Sequence, residues 1–302
     1  MASVNIVKGT KEQLVAFLVL NLWPSHFGLP LLLATILLSR KVHRHPTFIN
    51  LCTGFILVGV ASCLLLYAGK TTGPEPSKEL CLFQASILYG FPAFASLLGF
   101  MLVLQMFLVV RASAQKQVIR GPQALRLWIM LATPYLALLI SMAATIAVGV
   151  ARPESVSRDR RFFYCSVDSG ILSGTLAAAG ALVLIATLAL EIWTLVILFK
   201  NHKVNQGVLE LSLPIRVMAF GLYVIIAISL SLLSVTSPES PIPDLVIASA
   251  ATVIILIFGT QRDILRALCF WHKEPQLKFN QLSSAPVTGS HVSQKSKVSE
   301  SV

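Results

Sequence analysis

The sequence predicts an all-α polytopic membrane protein: seven transmembrane helices, N-terminus outside, an amphipathic eighth helix and a disordered C-terminal tail. Three observations carry that prediction. Of 302 residues, 55% are hydrophobic and only 12% charged, about half the charge of a soluble domain. The mean hydropathy is +0.78. Seven long apolar runs are separated by short loops, and Lys and Arg gather in every second loop. A chain so poor in charge cannot cover a water-facing surface, which excludes an ordinary soluble enzyme and a disordered protein.

Each run must satisfy its own backbone in lipid, so each is read as a helix of about 20 residues. The spans are 14–38, 47–68, 81–110, 127–150, 170–199, 215–235 and 245–260. In the first, Asn21, Trp23, Pro24, Ser25 and His26 interrupt the apolar pattern. Splitting it would leave pieces too short to cross, so one kinked helix is expected. Pro92 and Pro134 can bend the third and fourth helices, while Pro214 and Pro243 sit at helix starts. Residues 1–13 form the N-terminus, 14–260 the seven-helix domain, 261–273 an inner-leaflet helix and 274–302 the tail.

Orientation follows from the basic residues. One side holds sixteen Lys and Arg, the other eight. The richer side is cytoplasmic by the positive-inside rule. This bias also accounts for the net charge of +11, so nucleic acid is not an expected partner. Cys81, at the outer end of the third span, and Cys165, in the loop between spans four and five, then both face the oxidising side. A disulfide between them is expected to tie that loop to helix three. Cys52 and Cys63 read as small core residues. Cys269, just past the seventh span on the cytoplasmic side, stands at a lipidation position. Ile264, Leu265, Leu268 and Trp271 repeat at helical spacing around Arg262, Asp263 and Arg266, the pattern of a helix lying on the inner leaflet. The Ser-, Gln- and Lys-rich tail cannot build a core.

These features together resemble the G-protein-coupled receptor architecture over residues 10–272. Four local strings resemble more closely the receptor-like heptahelical proteins of basidiomycete fungi: Arg44-His-Pro-Thr-Phe-Ile-Asn50, Gly73-Pro-Glu-Pro-Ser77, Arg161-Phe-Phe-Tyr-Cys-Ser166 and Phe258-Gly-Thr-Gln-Arg-Asp-Ile264. The resemblance implies a plasma-membrane receptor that senses a small extracellular ligand and signals to a heterotrimeric G protein. The sequence departs from the wider receptor pattern. Helix three ends Val109-Val110-Arg111-Ala112 without Asp-Arg-Tyr, and the seventh span lacks Asn-Pro-x-x-Tyr. Only Arg111 stands where a receptor arginine would.

A ligand cavity is expected between the outer halves of helices three, five, six and seven, beneath the tethered loop. Its candidate residues are Gln84, Tyr89, Phe91, Ser173, Thr175, Ser231, Ser234, Asp244 and Ser249. For the hydroxyls, the competing role is hydrogen bonding within or between helices. Glu191 is the one acid well inside a span, and such an acid usually has a partner and a role. A polar latch from Glu191 to Arg216 or Arg111 is the expected switch.

Other classes fit less well. A retinal-binding pump needs a lysine in its seventh helix, and residues 244–260 contain none. The six histidines are scattered, and no nucleophile–base constellation or phosphate loop is present, so neither enzyme activity, a metal nor a cofactor is expected. A transporter or channel for a small solute is the alternative, favoured by the interrupted first span.

Overall fold

Thr10 opens the first helix with a capping box. Its hydroxyl accepts from the Gln13 N–H, and the Gln13 side chain accepts from the Thr10 N–H. The computed structural model describes residues 10–39, 42, 44–115, 123–158, 161, 163–200, 219, 221–223, 225, 226, 229 and 241–268. Helix α1 (Lys11–Trp23) runs through a π-helical turn (Pro24–Gly28) directly into α2 (Leu29–Leu38). The interruption expected here is thus a widened turn in a continuous 28-residue span. Pro24 has no N–H to give this turn, and the next residue, Ser25, donates its hydroxyl to the Asn21 carbonyl at 2.6 Å.

Pro46 sits at the first position of α3 (Pro46–Ser62), where its missing N–H costs nothing. This helix stops short of the expected span. Cys63 turns out of helical geometry, and only the single turn of α4 (Leu64–Tyr67) follows. The break is sustained from α5 (Lys78–Gln115). Gln84 Nε2 donates to the Ala61 and Ser62 carbonyls at 3.2 and 3.4 Å, acceptors that a helix end leaves open.

At 38 residues, α5 is the central column. It packs against α3, α6 (Gln123–Ala151) and α7 (Gly170–Lys200). Gly180 of α7 lets that helix close on Pro92 of α5. A Cβ there would stand 3.2 Å from the Pro92 carbonyl carbon and oxygen. Small residues at crossings are how membrane helices gain dispersion contact. The main core gathers Leu29, Leu51, Phe94, Leu98 and Ile254 from four helical segments.

The last span is α8 (Ile242–Ala248) and α9 (Ala250–Gly259), bent at Ser249, whose hydroxyl donates to the Val246 carbonyl. It starts at Ile242, with Pro243 in its first turn as expected at a helix start. A short helix, α10 (Arg262–Leu268), follows where the amphipathic segment is expected. Ile264 is buried, and Leu265 and Arg266 are exposed. Arg44 Nη2 donates to Gln261 Oε1 and, at 2.5 Å, to Asp263 Oδ2, tying the loop before α3 to α10.

Among the described residues, five helical stretches are long and apolar enough to cross a membrane: Lys11–Leu38, Lys78–Gln115, Gln123–Ala151, Gly170–Lys200 and Ile242–Gly259. Pro46–Ser62 is apolar but shorter, at 17 residues. Most of the expected sixth span, 215–235, lies outside the described residues, as do 269–302. Large apolar side chains point outward along these helices, among them Trp128, Ile140, Leu182 and Trp193. Apolar surface on this scale belongs against lipid.

Between α6 and α7 the chain forms a two-stranded antiparallel ribbon, β1 (Val156–Ser157) with β2 (Ser166–Val167), in the register Val156↔Val167. The expected Cys81–Cys165 disulfide is present, with Cα atoms 5.1 Å apart. It pins this loop to the first turn of α5. Arg158, buried in the loop, donates to the Lys70 and Gly73 carbonyls at 2.5 and 3.0 Å.

Candidate functional site

The pinned loop roofs a cavity of about 240 Å³. Phe17 and Asn21 of α1, Phe55 and Ser62 of α3, Tyr89 and Phe91 of α5, Ser173 and Ala177 of α7, and Asp244 and Ala251 of the last span line it, with Arg161 and Tyr164 from the loop. Sequence position explains the loop's reach. Arg161 and Tyr164 lie within four residues of Cys165, so the disulfide that fixes Cys165 on α5 also carries them over the helix ends.

Each wall is fixed by its own contacts. Phe163 stacks on Phe17 with ring centroids 4.7 Å apart, which binds the roof to α1. Phe91 meets Phe55 edge-on at 5.9 Å. The Tyr89 hydroxyl donates to the Val167 carbonyl at 2.7 Å, so α5 holds the roof at a second point. Asn21 donates to the Phe17 carbonyl.

The polar centre is Asp244, which is only 6% exposed. Its Oδ1 accepts from the Tyr164 hydroxyl at 2.9 Å. Its Oδ2 lies 3.8 Å from Arg161 Nη1, beyond hydrogen-bonding distance, and has no hydrogen-bond partner among the described residues. Burial, and then the neighbouring carboxylate, push the Tyr164 phenol well above its ordinary pKa. It therefore stays protonated and remains a donor to Asp244.

Of the residues expected to face a ligand, Tyr89, Phe91, Ser173 and Asp244 line the cavity. Gln84 does not. Its amide nitrogen closes the α3 break, and its Oε1 accepts from the Cys165 N–H at 3.2 Å. Thr175 is exposed and donates to the Leu172 carbonyl, and Ser249 is used at the bend of the last span. Ser231 and Ser234 lie outside the described residues. Phe17, Asn21, Arg161 and Tyr164 were not anticipated. The usable signal was the Arg161–Ser166 string: a polar and aromatic run beside a tethered cysteine is placed wherever the tether goes.

Glu191 lies at 2% exposure in α7, with neither carboxylate oxygen hydrogen-bonded among the described residues. A Cβ on Gly221 would come within 2.5 Å of its Oε2, so the acid faces the segment expected to be the sixth span. The structure does not bring Arg111 to it. Arg111 is exposed near the end of α5, and no ion pair joins the two. Arg216, the other expected partner, and Cys269 lie outside the described residues. Cys52 and Cys63 are buried free thiols.

Near the starts of α3 and α6, His45, Gln105, Gln123 and Arg126 line a second hollow of about 380 Å³. No group of three or more His, Cys, Asp or Glu gathers to hold a metal among the described residues. The sequence matches no known protein-family model, and no curated protein matches it.

Proposed function

We propose that the chain is a seven-transmembrane receptor of the G-protein-coupled type in the plasma membrane, with its N-terminus extracellular and its C-terminus cytoplasmic. It senses a small extracellular ligand and signals to a cytoplasmic heterotrimeric G protein. The observation that carries this reading is the roofed cavity, in which Asp244 of the last span meets Tyr164 and Arg161 of a loop pinned to α5. A ligand there touches α1, α3, α5, α7 and the last span together. Differential contact with two packings of those helices is what a ligand needs to shift their equilibrium. Glu191, set against Gly221, supports a role for the acid in movement of the sixth helix. The exposed Arg111 and the polar inner hollow supply a surface for a cytoplasmic partner.

The test is capture of nucleotide-free Gα by the full chain in lipid nanodiscs, with and without a concentrated extract of host medium. Capture is expected to depend on the extract, to be reversed by GTP and to be lost in Arg111→Glu. Glu191→Gln is expected to change basal capture. Absence of capture across several Gα classes, with folded protein confirmed, would favour the transporter alternative. The buried Glu191 would then be the first residue to test by liposome flux.

A further inference from the structure

We infer that the roofed cavity is a site for a small organic amine, an ammonium group held by Asp244 Oδ2 with its apolar body against the aromatic walls. The inference takes the cavity as the ligand site, as the receptor reading does, but needs no coupling to a G protein.

The argument starts from a missing hydrogen bond. A buried carboxylate oxygen without a donor is costly, and native structures rarely leave one. Asp244 is 94% buried, from its 6% exposure. One oxygen is served by Tyr164. The other has no hydrogen bond among the described residues, and Arg161 stands 3.8 Å off. Asp244 lines the cavity and its Oδ2 is itself shielded from water, so a donor that moves Arg161 aside from its 3.8 Å approach meets an acceptor whose desolvation is already complete. A charged donor gains most, because hydrogen bonds with both partners ionised are the strong ones.

The walls favour the same class. Phe17, Phe55, Tyr89, Phe91 and Tyr164 face the space, and aromatic faces attract a cation as well as an apolar body. The volume of about 240 Å³ lies just below the range of drug-sized ligand sites, which points to a small occupant. Arg161 sets the specificity boundary. Its charge offsets that of Asp244, so the empty site is close to neutral, and an amine must compete with Arg161 for one oxygen only.

The experiment uses the full chain in lipid nanodiscs and three probes of one shape: phenethylamine, phenethyl alcohol and hydrocinnamate. Binding is read by ligand-detected NMR and calorimetry. The amine is expected to bind at least about tenfold more tightly than the alcohol, with the acid weakest. Asp244→Asn, which keeps the shape and the Tyr164 contact, is expected to abolish that preference while leaving the thermal midpoint within a few degrees. Ser249→Ala, outside the cavity, is expected to leave it intact. Equal binding of amine and alcohol, tighter binding of the acid, or no amine binding at millimolar concentration would each overturn the inference. The wild-type comparison stands even if Asp244→Asn fails to fold. Amine binding without Gα capture would remove the receptor reading alone. Extract-dependent capture without amine preference would remove this inference alone.

Discussion

The Tyr164 hydroxyl, 2.9 Å from Asp244 Oδ1, joins the loop between α6 and α7 to the last span, and its titration reports that junction. Burial and the carboxylate raise the phenol's pKa in the folded protein. An acid whose folded pKa is raised adds stability that is fully present below its unfolded value, about 10. That stability is lost as pH rises through the unfolded value toward the higher folded one. The thermal midpoint is therefore expected to fall above about pH 10, and Tyr164→Phe to flatten that alkaline limb. Thermal melts of both proteins from neutral to alkaline pH measure it; parallel curves would show that Tyr164 is not the group. The same residue marks where sequence reading stopped. Asp244, Tyr89, Phe91 and Ser173 were legible because helical position places them near the outer end. Thr175 and Ser249 were not, because a hydroxyl in a helix is satisfied as readily by its own preceding turn. Tyr164 and Arg161 stand in a loop, where periodicity carries no information, and only the disulfide decides where they land.

Among the elements, the α5–α7 crossing is the most demanding. Gly180 faces Pro92 backbone atoms 3.2 Å from where a Cβ would stand, and a backbone carbonyl inside a helix cannot step aside as a side chain can. Gly180→Leu is expected to destabilise the protein by about 1–3 kcal/mol through overpacking. Gly174, earlier on α7, has nothing within 4 Å of its Cβ position. Gly174→Ala is therefore expected to be neutral or to stabilise by about 0.5–1 kcal/mol. Thermal melts in matched nanodiscs compare the two, and equal losses would show that the crossing is not the constraint. Apolar runs made the helices legible, but their interruptions less so. The break at Cys63 depends on Gln84, two elements away, and no local signal at Cys63 announces it. The π turn was legible as an interruption at Pro24, but its local form, a widened turn between α1 and α2, was not. Two of the strings behind the family resemblance meet in space, through Arg44 with Gln261 and Asp263. This gives them a packing reason that their spacing in the chain conceals.

For the whole molecule, orientation is the property on which the receptor reading depends. The proposed orientation rests on sixteen basic residues in the segments expected on one side against eight in those expected on the other, the richer side being cytoplasmic under the positive-inside rule. The loop between α6 and α7 is the apparent exception, with Arg152, Arg158, Arg160 and Arg161. The fold gives two of these arginines work: Arg158 holds the Lys70 and Gly73 carbonyls, and Arg161 faces Asp244. In the proposed orientation these two arginines stand outside for a structural reason. The disulfide in the same loop points the same way by different chemistry, since such bonds persist on the oxidising side. Two positions report the orientation directly. Glu154 is exposed beside the ribbon, and Gln115 is exposed at the far end of α5. In a Cys269→Ser background, Cys52 and Cys63 are buried with no accessible surface and should not react. A membrane-impermeant maleimide is expected to label Glu154→Cys on intact cells, and Gln115→Cys only after permeabilisation. The reverse pattern would put the roofed cavity on the cytoplasmic side, and an extracellular ligand would then have no route to Asp244.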